Sequence, residues 1–226
     1  AAIGPLNSVL RRIALLQTRE EEAGSFRAEP LKEFIKGIGQ ITRLQIVARA
    51  VNEDWSPTLR GEFFTFLSLQ HPSNIDQLMT FLGQLLPEEP RHIAVEALVL
   101  LSERDTAIWL DALRGGNWHL VADAIYALGL IGDTVALEHV AIAYERDEPS
   151  VRLQALETLK TVRTMRVRDM MLRALRDEDA KVRIAALRYC AVGGITDAMP
   201  TIEETLASRG FNERPFEERR GWFMTC

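Results

Sequence analysis

The sequence lacks the features of a secreted, membrane-spanning or disulfide-stabilised protein. It contains only two cysteines in 226 residues, which is too few for a disulfide framework and fits a reducing compartment. No apolar run reaches the ~18 residues that a membrane-spanning helix needs, and no signal peptide is visible. We therefore predict a cytoplasmic location. The chain begins at Ala1 without Met, so the removal of a leader or an upstream domain stays open.

Motifs for catalysis and cofactor binding are also missing. Gly37-Ile38-Gly39 is not a phosphate loop, because no strand is predicted before it and no Gly-Lys-Ser/Thr follows. A close helix contact or a break between two helices explains it better. None of the four histidines stands at ligand spacing from a Cys or another His, and no nucleophile-elbow serine is present. We predict no catalytic residue, no metal and no cofactor, and so a protein that is not an enzyme.

Charge is unevenly distributed along a chain of otherwise ordinary composition. Hydrophobic residues make up 47% of the chain and charged residues 26%, as in a globular protein and not a disordered one. The net charge of −5 disfavours a general nucleic-acid binder. Residues 146–190, however, carry nine Arg and two Lys against seven acidic residues, a net charge of +4. This segment either forms solvated helix faces and bonds between repeats, or docks an acidic partner or a phosphate.

Residues 118–206 repeat one apolar pattern every 31 residues. The first set of recurring positions is Leu120, Val151 and Val182; Ala124, Ala155 and Ala186; Ile125, Leu156 and Leu187; and Leu128, Leu159 and Cys190. The second set is Ala136, Val167 and Ala198; Val140, Met171 and Ile202; and Tyr144, Leu175 and Leu206. Within each set the spacing places the apolar residues on one helix face. Each unit is therefore predicted to be two amphipathic helices, with turns near 132–133, 161–164 and 193–196.

A helix pair this short cannot bury both of its apolar faces alone, so stacking of units into a solenoid is expected. Residues 148–156 and 179–187 resemble the first helix of HEAT repeats, of the short bacterial kind related to phycobilisome-lyase HEAT-like repeats. The resemblance is best over 90–208 and implies a right-handed superhelix of antiparallel helix pairs. It also implies that Arg152 and Arg183 open first helices, and that Asp177 or Asp179 bonds across to a neighbour. Val121 replaces this arginine in the first copy, which would interrupt the ladder.

We predict a single all-α domain, a HEAT-like α-solenoid over 1–226. Its parts are divergent N-terminal helices (1–56), degenerate repeats (57–117), three clear repeats (118–208) and a final segment (209–226). In that final segment Phe216, Trp222 and Phe223 would give a helix an apolar face. It is either a cap or the opening of a repeat that is not completed, in which case the chain is a fragment of a longer protein.

The outward positions of the second helices are the candidate binding surface. If Val167, Met171 and Leu175 face the core, the outward residues of this helix and of the preceding second helix are Glu138, Ile142, Glu145, Asp169, Leu172, Arg173 and Arg176. The resemblance implies that second helices line the concave face. Ile142 and Leu172 would form an apolar strip flanked by charge, as at partner sites, unless adjacent helices cover both.

We therefore predict a non-enzymatic scaffold or regulatory module that binds another protein through this ridge. One alternative is nucleic-acid binding through the Arg-rich segment 146–190, as in HEAT-like DNA glycosylases. The other is an accessory or lyase-like subunit of a larger enzyme, which rests on fold analogy alone.

Overall fold

The computed structural model describes residues 3–22, 28–53, 55–56 and 59–225. Over these residues the chain is all-helical without a β-strand, which confirms the predicted all-α class. No helix in the described ranges has both the length and the apolar character to cross a bilayer. The chain divides into two compact units, Ala1–Ile108 and Trp109–Cys226. That residues 1–226 form one domain stays a prediction.

The first unit has a core rich in aromatic side chains. Its helices are α1 (Ile3–Glu22), α2 (Ala28–Ile38), α3 (Ile41–Glu53), α4 (Leu59–Ser68), α5 (Ile75–Leu82) and α6 (Glu88–Leu101). Helix α1 packs on α2 and α4, α4 packs on α6, and α3 packs on α5. Phe63, Phe66 and Phe81 are fully buried, and the rings of Phe63 and Phe81 lie 6.2 Å apart between centroids. Aromatic burial of this kind is a large stabilising contribution to a small unit.

The break predicted at Gly37 and Gly39 is confirmed. Helix α2 ends at Ile38 and α3 begins at Ile41. A Cβ atom on Gly39 would collide with the Asn74 side chain, and Asn74 Nδ2 donates to the Lys36 carbonyl at 3.1 Å. Gly39 is therefore both a break between helices and a point of close approach, as a glycine allows.

The second unit begins inside α7 and contains the repeated pattern. Its helices are α7 (Ala107–Arg114), α8 (Trp118–Ile131), α9 (Thr134–Ala143), α10 (Pro149–Leu159), α11 (Met165–Ala174), α12 (Ala180–Gly193), α13 (Met199–Ala207) and α14 (Phe216–Thr225). The first helices of successive repeats adjoin in chain order, because α10 packs on α8, α12 on α10 and α14 on α12. The second helices α9 and α11 also adjoin each other, with α9 against α8 and α10, and α11 against α12.

The recurring apolar positions are the core of this unit. All of them are buried except Leu120 and Leu206, the first and last positions of the pattern, which are half-buried. Cys190 is 2% exposed, and burial raises the pKa of its thiol to about 11. This residue is therefore a small buried hydrophobic group, as its position in the pattern predicts.

The predicted turns carry helix caps. At two of these turns the side chains of Asp133 and Thr164 accept from backbone N–H groups at the starts of α9 and α11, at 2.8 and 3.3 Å. Asp179, which lies outside the predicted turns, caps the start of α12 in the same way at 2.8 Å. Gly132 and Gly194 end α8 and α12 with φ of 75° and 59°, a left-handed conformation that favours glycine. Sequence spacing thus located the turns correctly, and local capping explains why the helices stop there.

Arg152 and Arg183 make the same backbone bonds one repeat apart. Arg152 Nη1 donates to the carbonyls of residues 146 and 147 at 3.1 and 2.6 Å. Arg183 Nη1 donates to the carbonyls of residues 177 and 178 at 2.6 and 2.8 Å. Each guanidinium therefore holds the loop that precedes its own helix, by donating to carbonyls that lie outside both flanking helices.

Each of these arginines also binds a carboxylate further along the chain. Arg152 binds both oxygens of Asp177 at 2.8 Å, and Arg183 binds both oxygens of Glu218 at 2.6 and 2.7 Å. Burial raises the pKa of Asp177, but hydrogen bonds from Arg152, the Asp179 N–H and Tyr144 outweigh it, so that this pKa lies below its usual range. Of the two acids expected to bond across repeats, Asp177 does so and Asp179 caps a helix.

Arg146 compensates for the arginine that the first copy lacks. Val121 is buried and stands 31 residues before Arg152, so no guanidinium extends from this position. Arg146, which stands 31 residues before Asp177, donates to the carbonyls of Leu113 and Gly115 at 3.0 and 3.1 Å. The loop before α8 is therefore held from the following loop instead of from its own helix.

Helix α14 is anchored by a buried carboxylate. Glu218 is 0% exposed, and besides Arg183 it accepts from Arg214 and, at 3.3 Å, from Trp222 Nε1. Trp222 is also fully buried, but Phe216 and Phe223 are 67% and 63% exposed. Of the three residues predicted to form an apolar face, Trp222 is therefore covered, while Phe216 and Phe223 stay exposed. The polar contacts of Glu218 fix Trp222 on the side of α14 that packs on α12.

We expect Glu218→Ala to lower the free energy of unfolding by about 3–5 kcal/mol, since removing one partner of a buried pair leaves the other charge uncompensated. The matched control is Glu217→Ala, because Glu217 is exposed on the same helix and its loss should change stability by less than about 0.5 kcal/mol. Urea denaturation followed by circular dichroism measures both. Equal effects of the two substitutions would contradict the anchoring role.

The same carboxylate gives the wild type a pH dependence. Burial raises the pKa of Glu218, but hydrogen bonds from Arg183, Arg214 and Trp222 outweigh it and hold the pKa below the ordinary 4.5. The stabilisation is therefore complete above this ordinary value and is lost as the pH falls through the lower, folded-state pKa. The Glu218→Ala variant should show a smaller loss of stability than the wild type over this acidic range.

Candidate functional site

The predicted binding residues lie on the outward sides of α9 and α11 and on the loops that follow them. Ala136, Val140 and Tyr144 are buried, and this leaves Glu138, Ile142 and Glu145 outside on the first of these segments, all exposed. Ile142 is 50% exposed, so adjacent helices do not cover it.

The second segment is arranged in the same way. Asp169, Arg173 and Arg176 are exposed and Leu172 is half-buried, because Val167, Met171 and Leu175 fill the core positions. We call the seven residues together the second-helix ridge. They are Glu138, Ile142, Glu145, Asp169, Leu172, Arg173 and Arg176.

Ion pairs connect the ridge to its neighbours. Arg173 Nη1 lies 2.9 Å from Glu145 Oε1, and its guanidinium carbon lies 5.8 Å from the centre of the Tyr144 ring. Arg176 Nη2 lies 2.6 Å from Glu204 Oε2 on α13. No bond is recorded for Glu138 or Asp169 within the described part of the chain. The structure thus brings Glu145 and Arg173 together and leaves Glu138 and Asp169 as exposed charges.

Sequence reasoning missed Glu204 and Asp197, which pair with Arg176 and Arg168. Arg173 stands 28 residues after Glu145, and Glu204 stands 28 residues after Arg176. This separation is about one helical turn shorter than the 31-residue repeat. Charges of opposite sign at this offset were the available signal, because the ~5.4 Å rise of one turn is within the reach of long Arg and Glu side chains.

A small pocket borders Ile142. Its volume is about 220 Å³ and its lining residues are Leu110, Leu113, Arg114, His139, Ile142, Ala143 and Arg146. Arg146 is held by backbone carbonyls and Arg114 by Asp111 at 2.9 Å. The floor is therefore aliphatic, while the charged groups at its border are already bonded within the protein.

Most of the Arg-rich segment is occupied in internal contacts. Arg146, Arg152 and Arg183 bond loop carbonyls or buried carboxylates. The half-buried Arg168 and the exposed Arg173 and Arg176 pair with acids of neighbouring elements. The interpretation of this segment as inter-repeat bonding thus accounts for six of its nine arginines. The other three are Arg163, Arg166 and Arg188, which form no ion pair and no bond to another repeat within the described ranges.

No group of three or more His, Cys, Asp or Glu with the geometry to hold a metal occurs among residues 3–22, 28–53, 55–56 and 59–225. Sequence comparison adds no assignment, since no protein-family model matches the chain and no curated protein is significantly similar to it.

We expect substitutions in the ridge ion pairs to leave the fold intact. Arg173 and Glu145 are 59% and 60% exposed, so Arg173→Ala should lower the free energy of unfolding by less than about 1 kcal/mol. Arg152→Ala should cost about 3–5 kcal/mol, because its guanidinium is 8% exposed and its loss leaves Asp177 buried without a counter-charge. Urea denaturation of the two variants tests this contrast, and an equal loss of stability would contradict it.

Proposed function

We propose that the second unit is a HEAT-like α-solenoid segment whose second-helix ridge binds another protein, as a scaffold or regulatory module without catalysis of its own. Three features support the solenoid. First helices adjoin in chain order from α8 to α14, equivalent apolar positions are buried one repeat apart, and Arg152 and Arg183 make equivalent loop bonds. Stacked identical units present a continuous ridge, which suits an extended partner.

The observation that carries the binding proposal is the exposure of Ile142 beside an aliphatic pocket. A side chain that is 50% exposed at a pocket of about 220 Å³ offers apolar surface for a partner to cover. Glu138 and the Glu145–Arg173 pair flank it with charge. An apolar centre with a polar rim is the usual anatomy of a protein–protein interface, and the most strongly binding contacts lie at such centres.

The structure weakens the support for nucleic-acid binding. That alternative rested on the Arg-rich segment 146–190, and six of its arginines bond to carbonyls or carboxylates of the protein itself. A phosphate backbone would have to compete with these internal partners. At Ile142 and Leu172 of the ridge no such competition arises, because these apolar side chains have no polar partner to lose. The charged ridge residues Glu145, Arg173 and Arg176 keep their ion pairs at its rim.

The test is the paired substitution Ile142→Asp with Leu172→Asp. Proteins that co-purify with the wild-type chain from its native cell should be recovered at least about tenfold less with this variant, because two carboxylates would be desolvated in the interface. The control is Val135→Asp, since Val135 is 68% exposed on the same helix α9 but outside the ridge. Unchanged recovery with the paired variant, or equal losses with both variants, would refute the ridge as the binding surface.

A further inference from the structure

Two adjacent pockets share a wall on the side of the first helices. One, of about 420 Å³, lies between the C-terminal halves of α10 and α12. The other, of about 340 Å³, lies where α12 ends and α11 begins. Arg163 and Tyr189 line both pockets. We call this pair of pockets the first-helix groove. It lies entirely within the second unit and includes none of the ridge residues.

Arg163 is held in place without a carboxylate. Its guanidinium carbon lies 5.1 Å from the centre of the Tyr189 ring, and Nη1 donates to the Lys160 carbonyl at 3.0 Å. Tyr189 is itself buried and donates to the Val162 carbonyl at 3.3 Å. A guanidinium fixed by a ring and a carbonyl keeps its other N–H groups available for an anion, at a low cost in side-chain entropy.

The larger pocket has an excess of positive charge. Its lining contains Lys160, Arg163 and Arg188 against the single carboxylate of Glu157. Lys160 Nζ lies 3.2 Å from this carboxylate, so the excess is carried by Arg163 and Arg188. Arg188 is exposed, and no bond to it is recorded within the described ranges. Of the other eight arginines of the segment, seven have acidic or carbonyl partners, and Arg166 is the exception within the described ranges.

The same pocket also has an apolar side. Leu156, Ala185 and Val192 line it together with the Tyr189 ring. Val192 is 85% exposed and lies at the mouth of the pocket, whereas Leu156 on the α10 side is fully buried. The groove therefore combines an apolar surface with two uncompensated guanidinium groups. This pairing suits a ligand that carries an apolar side chain and carboxylates within a few residues of each other.

We infer that the first-helix groove is a second docking site, which binds an acidic segment of a partner protein with one apolar residue between its carboxylates. The apolar residue lies against Val192, at the mouth of the pocket whose inner wall contains Leu156 and Ala185, and the carboxylates pair with Arg163 and Arg188. Charge complementarity selects this occupant. A basic segment would be repelled by the two guanidinium groups, whose charges no carboxylate compensates, and an uncharged one would leave them desolvated. The inference does not depend on the ridge.

The probe is a short synthetic peptide with a central leucine between glutamates, labelled with fluorescein and titrated with the purified chain by fluorescence anisotropy. Arg188→Glu should weaken binding at least about tenfold, because a charge-assisted contact is replaced by repulsion. Val192→Asp should also weaken it, since it places a carboxylate on the apolar side. Both side chains are exposed, so neither change threatens the fold.

The matched control is Lys181→Glu, an equal change of charge on the same helix. Lys181 is exposed and stands seven residues before Arg188, which is about 10 Å along the axis and thus about one Debye length at moderate salt. It should change the affinity by less than about twofold. Equal losses with Lys181→Glu and Arg188→Glu would overturn the inference, since they would indicate unspecific attraction by overall charge.

Two competitors distinguish other ligands. If inorganic phosphate or single-stranded DNA displaced the peptide as effectively as unlabelled peptide does, the groove would be a phosphate site and the inference would be wrong. Displacement by unlabelled acidic peptide alone supports it. The Ile142→Asp, Leu172→Asp variant should bind the peptide like the wild type, so failure of the ridge proposal and failure of this one are separately observable.

Discussion

The buried guanidinium groups between successive loops are the interaction on which the second unit depends. Each helix pair ends in a loop whose carbonyls need donors, because buried backbone acceptors without partners are costly. Arg152 and Arg183 supply those donors and also hold a carboxylate from further along the chain. Burying such a pair costs desolvation energy, which only complete hydrogen bonding offsets. The arrangement therefore tolerates little displacement of one loop against the next, and we interpret it as the feature that sets the spacing of the units.

The chain satisfies this requirement in three different ways. The middle copy uses Arg152 with Asp177. The first copy has Val121 and reverses the direction, with Arg146 reaching back to the carbonyls of Leu113 and Gly115. The last copy has no acid 31 residues after Asp177, where Ser208 stands, and Glu218 of α14 takes that place. The bonding of each loop is thus repeated more faithfully along the chain than the residues that provide it.

Sequence periodicity predicted the elements whose burial depends on one helix face. The apolar positions, the capped turns and the break at Gly39 follow from spacing and local conformation, so they were readable in advance. The orientation of α14 could not be predicted from the sequence, because Glu218 anchors this helix and leaves Phe216 and Phe223 exposed to solvent. Likewise, the nine arginines of 146–190 form one basic cluster in the sequence. In the structure six of them bond to other repeats, while Arg163 and Arg188 line the first-helix groove without a carboxylate partner. Pairing across helices is a tertiary property that composition does not encode.

We interpret the successive units as sharing one geometry, so that the polar pair of one copy can be moved into another. A double-mutant cycle on Val121→Arg and Arg146→Asp tests it directly, because the double variant recreates at 121 and 146 the pair found at 152 and 177. Each single variant buries an unpaired charge or removes loop bonds and should unfold more easily. We expect the double variant to lose less free energy of unfolding than the two single variants lose together, with a difference of more than about 1 kcal/mol. Additive losses, within about 0.5 kcal/mol, would contradict it.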